Sequence, residues 1–177
     1  MSVIDFDDHV DDVLGRLDGA LGDLGALSLV NLDVNQLNTL LLALVRLVSQ
    51  AQGLQMSAMQ EAEAAGLAVR FGSRVLTTHL AKATNGNAQT LGADRAVAVW
   101  LRDFPVIHEG LTNGVITRSH VLALKEIDKP KVHAVLVRDQ QMFVDAARDF
   151  GWPEWKGIVA YWLNAADPDG ELTDRAA

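Results

Sequence analysis

The sequence predicts an all-α fold, a multi-helix bundle of about seven or eight helices with one long central helix and short helical hairpins. Three observations predict it. Apolar residues recur at i, i+3, i+4 and i+7 along most of the 177 residues, the spacing that gathers them on one helical face. No stretch alternates apolar and polar residues as a half-buried strand would. Gly, Pro and small polar residues stand where the periodic stretches begin and end.

Residues 3–24 read as the first amphipathic helix, with Phe6, Val10, Val13, Leu14, Leu17, Leu21 and Leu24 on one face. Asp5, Asp7, Asp8, Asp11, Asp12, Asp18 and Asp23 lie mostly on the other. Gly15, Gly19 and Gly22 each weaken a helix by close to 1 kcal/mol relative to Ala. Residues 1–31 are therefore expected to form an acidic arm, mobile or docked, with a solvated acidic face or one that covers a basic groove. The second helix is expected over 34–65, roughly 48 Å long at 1.5 Å per residue. Asp33 and Gln36 make its capping box, and Leu32 with Leu37 its staple. Leu37, Leu40, Leu41, Leu44, Val45 and Val48 form its broad apolar stripe, suited to organising a bundle or, in a second use, to a dimer seam. Gly53 is expected to bend this helix and Gly66 to end it. Its second half, with Met56, Met59 and several Ala, carries the weaker stripe.

A short helix follows within Arg70–Lys82, with Ser73 as its expected cap. Thr84-Asn85-Gly86-Asn87 reads as a loop, and Thr90 as the cap of a helix running to about Arg102. Pro105 opens a short helix with Phe104, Ile107 and Leu111 on one face, and Asn113-Gly114 stops it. Thr117 caps the next, with Ile116 and Val121 as staple. Asp128-Lys129-Pro130 breaks the chain. The helix after it should bury Val132, Val135, Leu136, Met142, Phe143, Ala146 and Phe150, up to Gly151. Pro153 starts the last helix, with Trp155, Ile158, Val159, Trp162 and Leu163 at i, i+3, i+4, i+7 and i+8. An Asp167-Pro168-Asp169-Gly170 turn closes the helical domain, expected at 32–170. Residues 171–177 are expected to be a flexible tail.

Hydrophobic residues make up 49% and charged residues 21%, as in ordinary globular domains. The absence of cysteine excludes disulfides, a thiol nucleophile and thiolate metal sites. No uninterrupted apolar run reaches the length of a membrane span, and the acidic N-terminus does not resemble a signal peptide. A cytoplasmic protein with no membrane partner is the expectation. The net charge of −8 disfavours non-specific attraction to nucleic acid or anionic lipid. The average hides a pattern. Residues 1–33 carry −7, residues 34–66 carry −1, residues 67–140 carry +4 and residues 141–177 carry −4. Only the middle of the chain is basic.

Leu101 to Pro105, Gly110 to Gly114 and Ile116 to His120 spell Leu-x-x-Phe-Pro, Gly-Leu-x-x-Gly and Ile-Thr-x-x-His. In this order they resemble the N-terminal helical domain of the actinobacterial (mycobacterial) 13E12-repeat family, a domain of unknown function (number 222). The Asp-Pro-Asp-Gly turn adds to the resemblance, as does Gly72-Ser73 before a helix ending in Leu80-Ala81; together they cover roughly residues 35–170. His79 stands where an aromatic residue would be expected. The resemblance implies a domain that usually precedes an HNH endonuclease domain. The five histidines, His9, His79, His108, His120 and His133, form no HNH arrangement. No ββα segment for a metal is present, nor a glycine-rich phosphate loop. Any nuclease activity is thus expected to reside in a C-terminal domain outside this chain, leaving this one without catalytic residues, cofactor or metal.

The sharpest chemical expectation is DNA contact. If residues 105–127 form a helix-turn-helix, Thr117, Arg118, Ser119 and His120 make the first turn of a recognition helix. Arg118 would read guanine or phosphate, and Thr117 and Ser119 would hold phosphate. Arg95, Arg102, Lys125, Lys129 and Lys131 would supply backbone contacts. The sequence therefore leads to a non-catalytic targeting, regulatory or self-association domain with DNA, a second copy or another protein as partner. The alternative is a structural protein–protein interaction domain with no nucleic-acid role.

Overall fold

The computed structural model describes residues 3–167, with side chains from His9 onward. Phe6, Asp5, Asp7 and Asp8 of the expected first helix lie outside the described side chains. Pro168 to Gly170 of the expected turn and the 171–177 tail lie outside the described residues altogether. Among those described there are nine α-helices, one 3-10 turn and no strand. The bundle is all-α, as the periodicity predicts. The chain divides into two compact units, one through Leu42 and one from Ala43, so the division falls inside α2.

The first unit holds α1 (Val3–Gly25), the 3-10 turn (Leu29–Asn31) and the start of α2 (Val34–Ala64). The capping box forms as its residues suggest. The Asp33 amide donates to Gln36 Oε1 and the Gln36 amide to Asp33 Oδ1, each at 2.9 Å. Two of the orphan donors of the helix start are thereby satisfied.

The second unit holds the rest of α2 with α3 (Leu67–Arg70), α4 (Leu76–Thr84), α5 (Ala88–Trp100), α6 (Pro105–Thr112), α7 (Arg118–Ile127), α8 (His133–Asp149) and α9 (Trp152–Ala166). Packing runs from α4 to α5, α5 to α7, α7 to α6, α6 to α8 and α8 to α9. Short α6 lies at the centre: Phe104, Ile107 and Leu111 lose all contact with solvent. Trp155 is equally buried, and its Nε1 donates to the Phe143 carbonyl at 3.0 Å, so the indole enters the core with its donor satisfied. Every residue of the core belongs to this unit; the first in sequence is Met56.

Several local expectations change. The predicted stripe of α2 is not its core face: Leu41, Val45 and Val48 are exposed and Leu37, Leu40 and Leu44 half-buried. Burial falls on Ser49, Gly53, Met56 and Met59, in the half with the weaker stripe. At Gly53, where a bend was expected, α2 continues as helix. The missing side chain lets α6 approach, since a Cβ there would lie 2.7 Å from Thr112 Cα and 2.8 Å from Thr112 N. Ser73 does not cap α4, which begins after Val75. Asn87, not Thr90, caps α5: its side chain accepts from the Gln89 and Thr90 amides. Met142 of α8 and Phe150, which caps its end, are exposed, and Gln140 takes the inward position between Leu136 and Phe143.

The crossing at Gly53 yields a paired prediction. Gly53→Ala forces α2 and α6 apart and should destabilise the second unit by about 2 kcal/mol, as overpacking does. Gly15→Ala meets nothing within 4 Å and should leave that unit's unfolding unchanged. Urea unfolding followed by tryptophan fluorescence reads both, because all four tryptophans, Trp100, Trp152, Trp155 and Trp162, lie in the second unit.

Candidate functional site

The α6–α7 hairpin is built by residues legible in the sequence. Pro105 occupies the first turn of α6, where its lack of a donor is harmless. Its neighbour Val106 donates its amide to Gln140 Oε1 of α8 at 2.9 Å, which explains why a glutamine is buried there. Gly114 ends the helix at φ +67°, and two hydrogen bonds close it, Gly114 N to Leu111 O at 3.0 Å and Val115 N to Gly110 O at 2.9 Å. This is a Schellman stop, and it requires the left-handed residue that glycine supplies. Arg46 of α2 packs its stem on Gly114 and donates to the Asn113 carbonyl at 3.4 Å.

The first turn of α7 is engaged by the fold. The Thr117 amide donates to His120 Nδ1 at 3.2 Å, and Thr117 Oγ1 lies 2.9 Å from the same nitrogen. His120 thus closes a capping box, and to accept there Nδ1 must be unprotonated. The ring also meets Trp152 and Trp155 edge-on, with centroids 5.0 and 4.6 Å away, and burial lowers its pKa. Arg118 reaches back to α5, where its Nη2 donates to Asp94 Oδ1 at 2.7 Å; its side chain is 29% exposed. Of the expected recognition turn only Ser119 faces solvent freely.

Three of the five flanking cations are also committed. Arg95 and Arg102 converge on Glu63 of α2, Arg102 at 3.5 Å. Lys131 pairs with the buried Asp167 at the end of α9. Among the described residues no acidic side chain pairs with Lys125, which is half-buried, or with exposed Lys129. The acids that quench the basic segment, Glu63 and Asp94, stand far from their partners in sequence. Asp94 lies inside that segment and Glu63 outside it, so the segment's own charge count includes only the first.

No catalytic constellation forms among the described residues. His108 and His120, which could have faced each other across the hairpin, turn apart. His108 Nε2 lies 3.0 Å from Ser57 Oγ and 3.2 Å from the Gly53 carbonyl, on α2. No three metal-ligating side chains gather there. One carboxylate–imidazole pair was not legible: Asp128 holds His133 Nδ1 at 3.0 Å and accepts from Trp100 Nε1 at 2.6 Å. It ties the α7–α8 connection to α5, a structural role. His79 stacks on Phe71 with centroids 5.0 Å apart, filling with an imidazole the place where an aromatic was expected. An apolar hollow of about 370 Å³ between α2, α4 and α5 is lined by Met59, Leu76, Leu80 and Leu91, with little polar chemistry to orient a substrate.

Exposed apolar side chains recur along α1 and, separately, along the first half of α2. On α1 Leu14 and Leu17 are 55% and 47% exposed. On α2 Leu41 and Val48 are 61% and 56% exposed. At about 100° per residue, Ser49, Gly53, Met56 and Gln60 share one face of α2, and Leu37, Leu40, Leu44 and Leu47 the opposite one. The helix has two apolar faces, and the core takes one. Comparison with protein-family models, curated proteins and solved structures returns no match.

The His120 geometry predicts a pH dependence. Its folded pKa lies below the ordinary 6.5, so the unfolded chain takes up the proton first. The stabilisation is complete above 6.5 and is lost as pH falls through that value toward the folded pKa. Asp139, held low by Arg138 and then by Trp162, adds a second loss below the carboxylate range. Thermal unfolding between about pH 7.5 and 5 should show the first step. His120→Gln keeps an acceptor at the third helical position and should flatten it.

Proposed function

We propose that this chain is a non-catalytic accessory domain that works by protein association, of the kind that stands before an HNH nuclease domain in the family it resembles. The uncovered apolar face on α1 and on the first half of α2 carries this reading. Soluble monomers rarely leave more than a few hundred Å² of contiguous apolar surface open unless something binds it. The engagement of Arg118, His120, Arg95 and Arg102 within the fold supports the same reading over DNA contact. A recognition turn must present its arginine to base edges, and phosphate contact needs cations not already neutralised.

Fluorescence anisotropy with short duplex DNA across a salt series tests the choice. The full chain should show no salt-sensitive complex, and Arg118→Glu should lower thermal stability through repulsion by Asp94 without altering the anisotropy. A complex that weakens with salt and is further weakened by Arg118→Glu would restore the DNA reading.

A further inference from the structure

Building on the association reading, we propose that the partner is a second copy of this chain, met through the apolar stripes of α1 and the first half of α2 in a dimeric helical bundle.

The pattern of the stripes points to such a bundle. In heptad letters α1 places Val10, Leu17 and Leu24 at a, Val13 and Ala20 at d, and Leu14 and Leu21 at e. The first half of α2 repeats the pattern, with Leu37 and Leu44 at a, Leu40 and Leu47 at d, and Leu41 and Val48 at e. A two-helix seam needs only a and d. Apolar residues at e as well widen the stripe to what a helix needs when it has neighbours on two sides. Pairing within one chain would leave the e residues in water; four such helices from two chains cover them.

Charge and area agree. No charged residue occupies a, d or e over 10–24 of α1 or 37–48 of α2. Asp11, Asp12, Asp18 and Asp23 fall at b, c and g, so two copies can meet without burying carboxylates. The α1 stripe exposes on the order of 500 Å² of apolar side chain and the half-buried α2 stripe less, against the roughly 800 Å² per partner of a standard interface. One surface serves both sides of a two-fold contact, so no second, complementary patch is required.

A lipid surface fits less well. Helices that lie on membranes carry Lys and Arg on the polar face, whereas that of α1 is acidic. By length and composition α2 could cross a membrane. From Arg46 on, however, it is held by the domain, through Arg46 against Gly114 and Gly53 against Thr112. What remains, Val34 to Val45, is well short of the roughly 20 residues a span needs.

Sedimentation velocity on the full chain over a wide concentration range tests the proposal, together with thiol labelling of Leu41→Cys, which becomes the only thiol in the chain. The expected result is a monomer–dimer equilibrium in which labelling slows as concentration rises. Leu17→Gln combined with Leu41→Gln should raise the dissociation constant by about a hundredfold, with the tryptophan-reported unfolding of the second unit unchanged. A chain monomeric throughout, with a fast-reacting thiol, would overturn the second copy and leave the association reading standing for a different protein. A monomer whose thiol is slow at every dilution would overturn both, since the stripe would then be covered within one chain. Binding of the monomer to anionic or neutral phosphatidylcholine vesicles, with thiol protection, would replace the second copy by lipid.

Discussion

At Gly53 the backbone of α2 meets Thr112 of α6 with no side chain between them, and this crossing decides which face of the long helix the domain takes. Ser57, one turn on, lies beside His108, and Gln60 donates to the Ala98 carbonyl at 2.5 Å. Glu63 then gathers Arg95 and Arg102. Residues 53, 57, 60 and 63 fall on one side of the helix, within about 120° of one another. Close packing there leaves α2 no freedom to roll its leucines inward. The richer apolar face is consequently turned away, and the same geometry that builds the core creates the surface left over.

The hairpin at residues 105–127 shows how a motif with the appearance of a binding element can be used for packing. Its turn is closed by Gly114, its first helix is capped from outside by Gln140, and its second is capped by its own His120. Each of these devices holds a helix end in place. None leaves a side chain reaching outward. Arg118, the residue best suited to reading a base, is the one that ties α7 to α5 through Asp94. The excess positive charge of residues 67–140 is thus partly spoken for by Asp94 within the segment and by Glu63 outside it.

Element existence was legible because it depends on local chemistry: the capping box at Asp33, Pro105 at a helix start, and Gly114 with φ > 0 all act within a turn of their own position. Choices between neighbouring candidates were less so. Asn87 and Thr90 both suit an N-cap, and only the chain path from Asn85, itself left-handed, selects the first. The face of α2 was misjudged for a deeper reason. Periodicity measures how apolar a face is, and a close crossing selects small residues, so Ser49 and Gly53 outrank leucines there. Gln140 was missed likewise, since its burial answers an amide on another helix. Ion pairs such as Arg95 with Glu63 bridge distant parts of the chain, and a basic stretch read alone overstates what it can offer a phosphate.

The central claim is that α2 serves two masters: one face held by its own domain, the opposite face completed only by association. Amide hydrogen exchange along α2, measured at several protein concentrations, addresses it most directly. Residues 49–63 should be protected at every concentration, whereas residues 34–48 should gain protection only as concentration rises. Protection that is uniform along the helix and independent of concentration would contradict the account, because both faces would then be satisfied within a single chain.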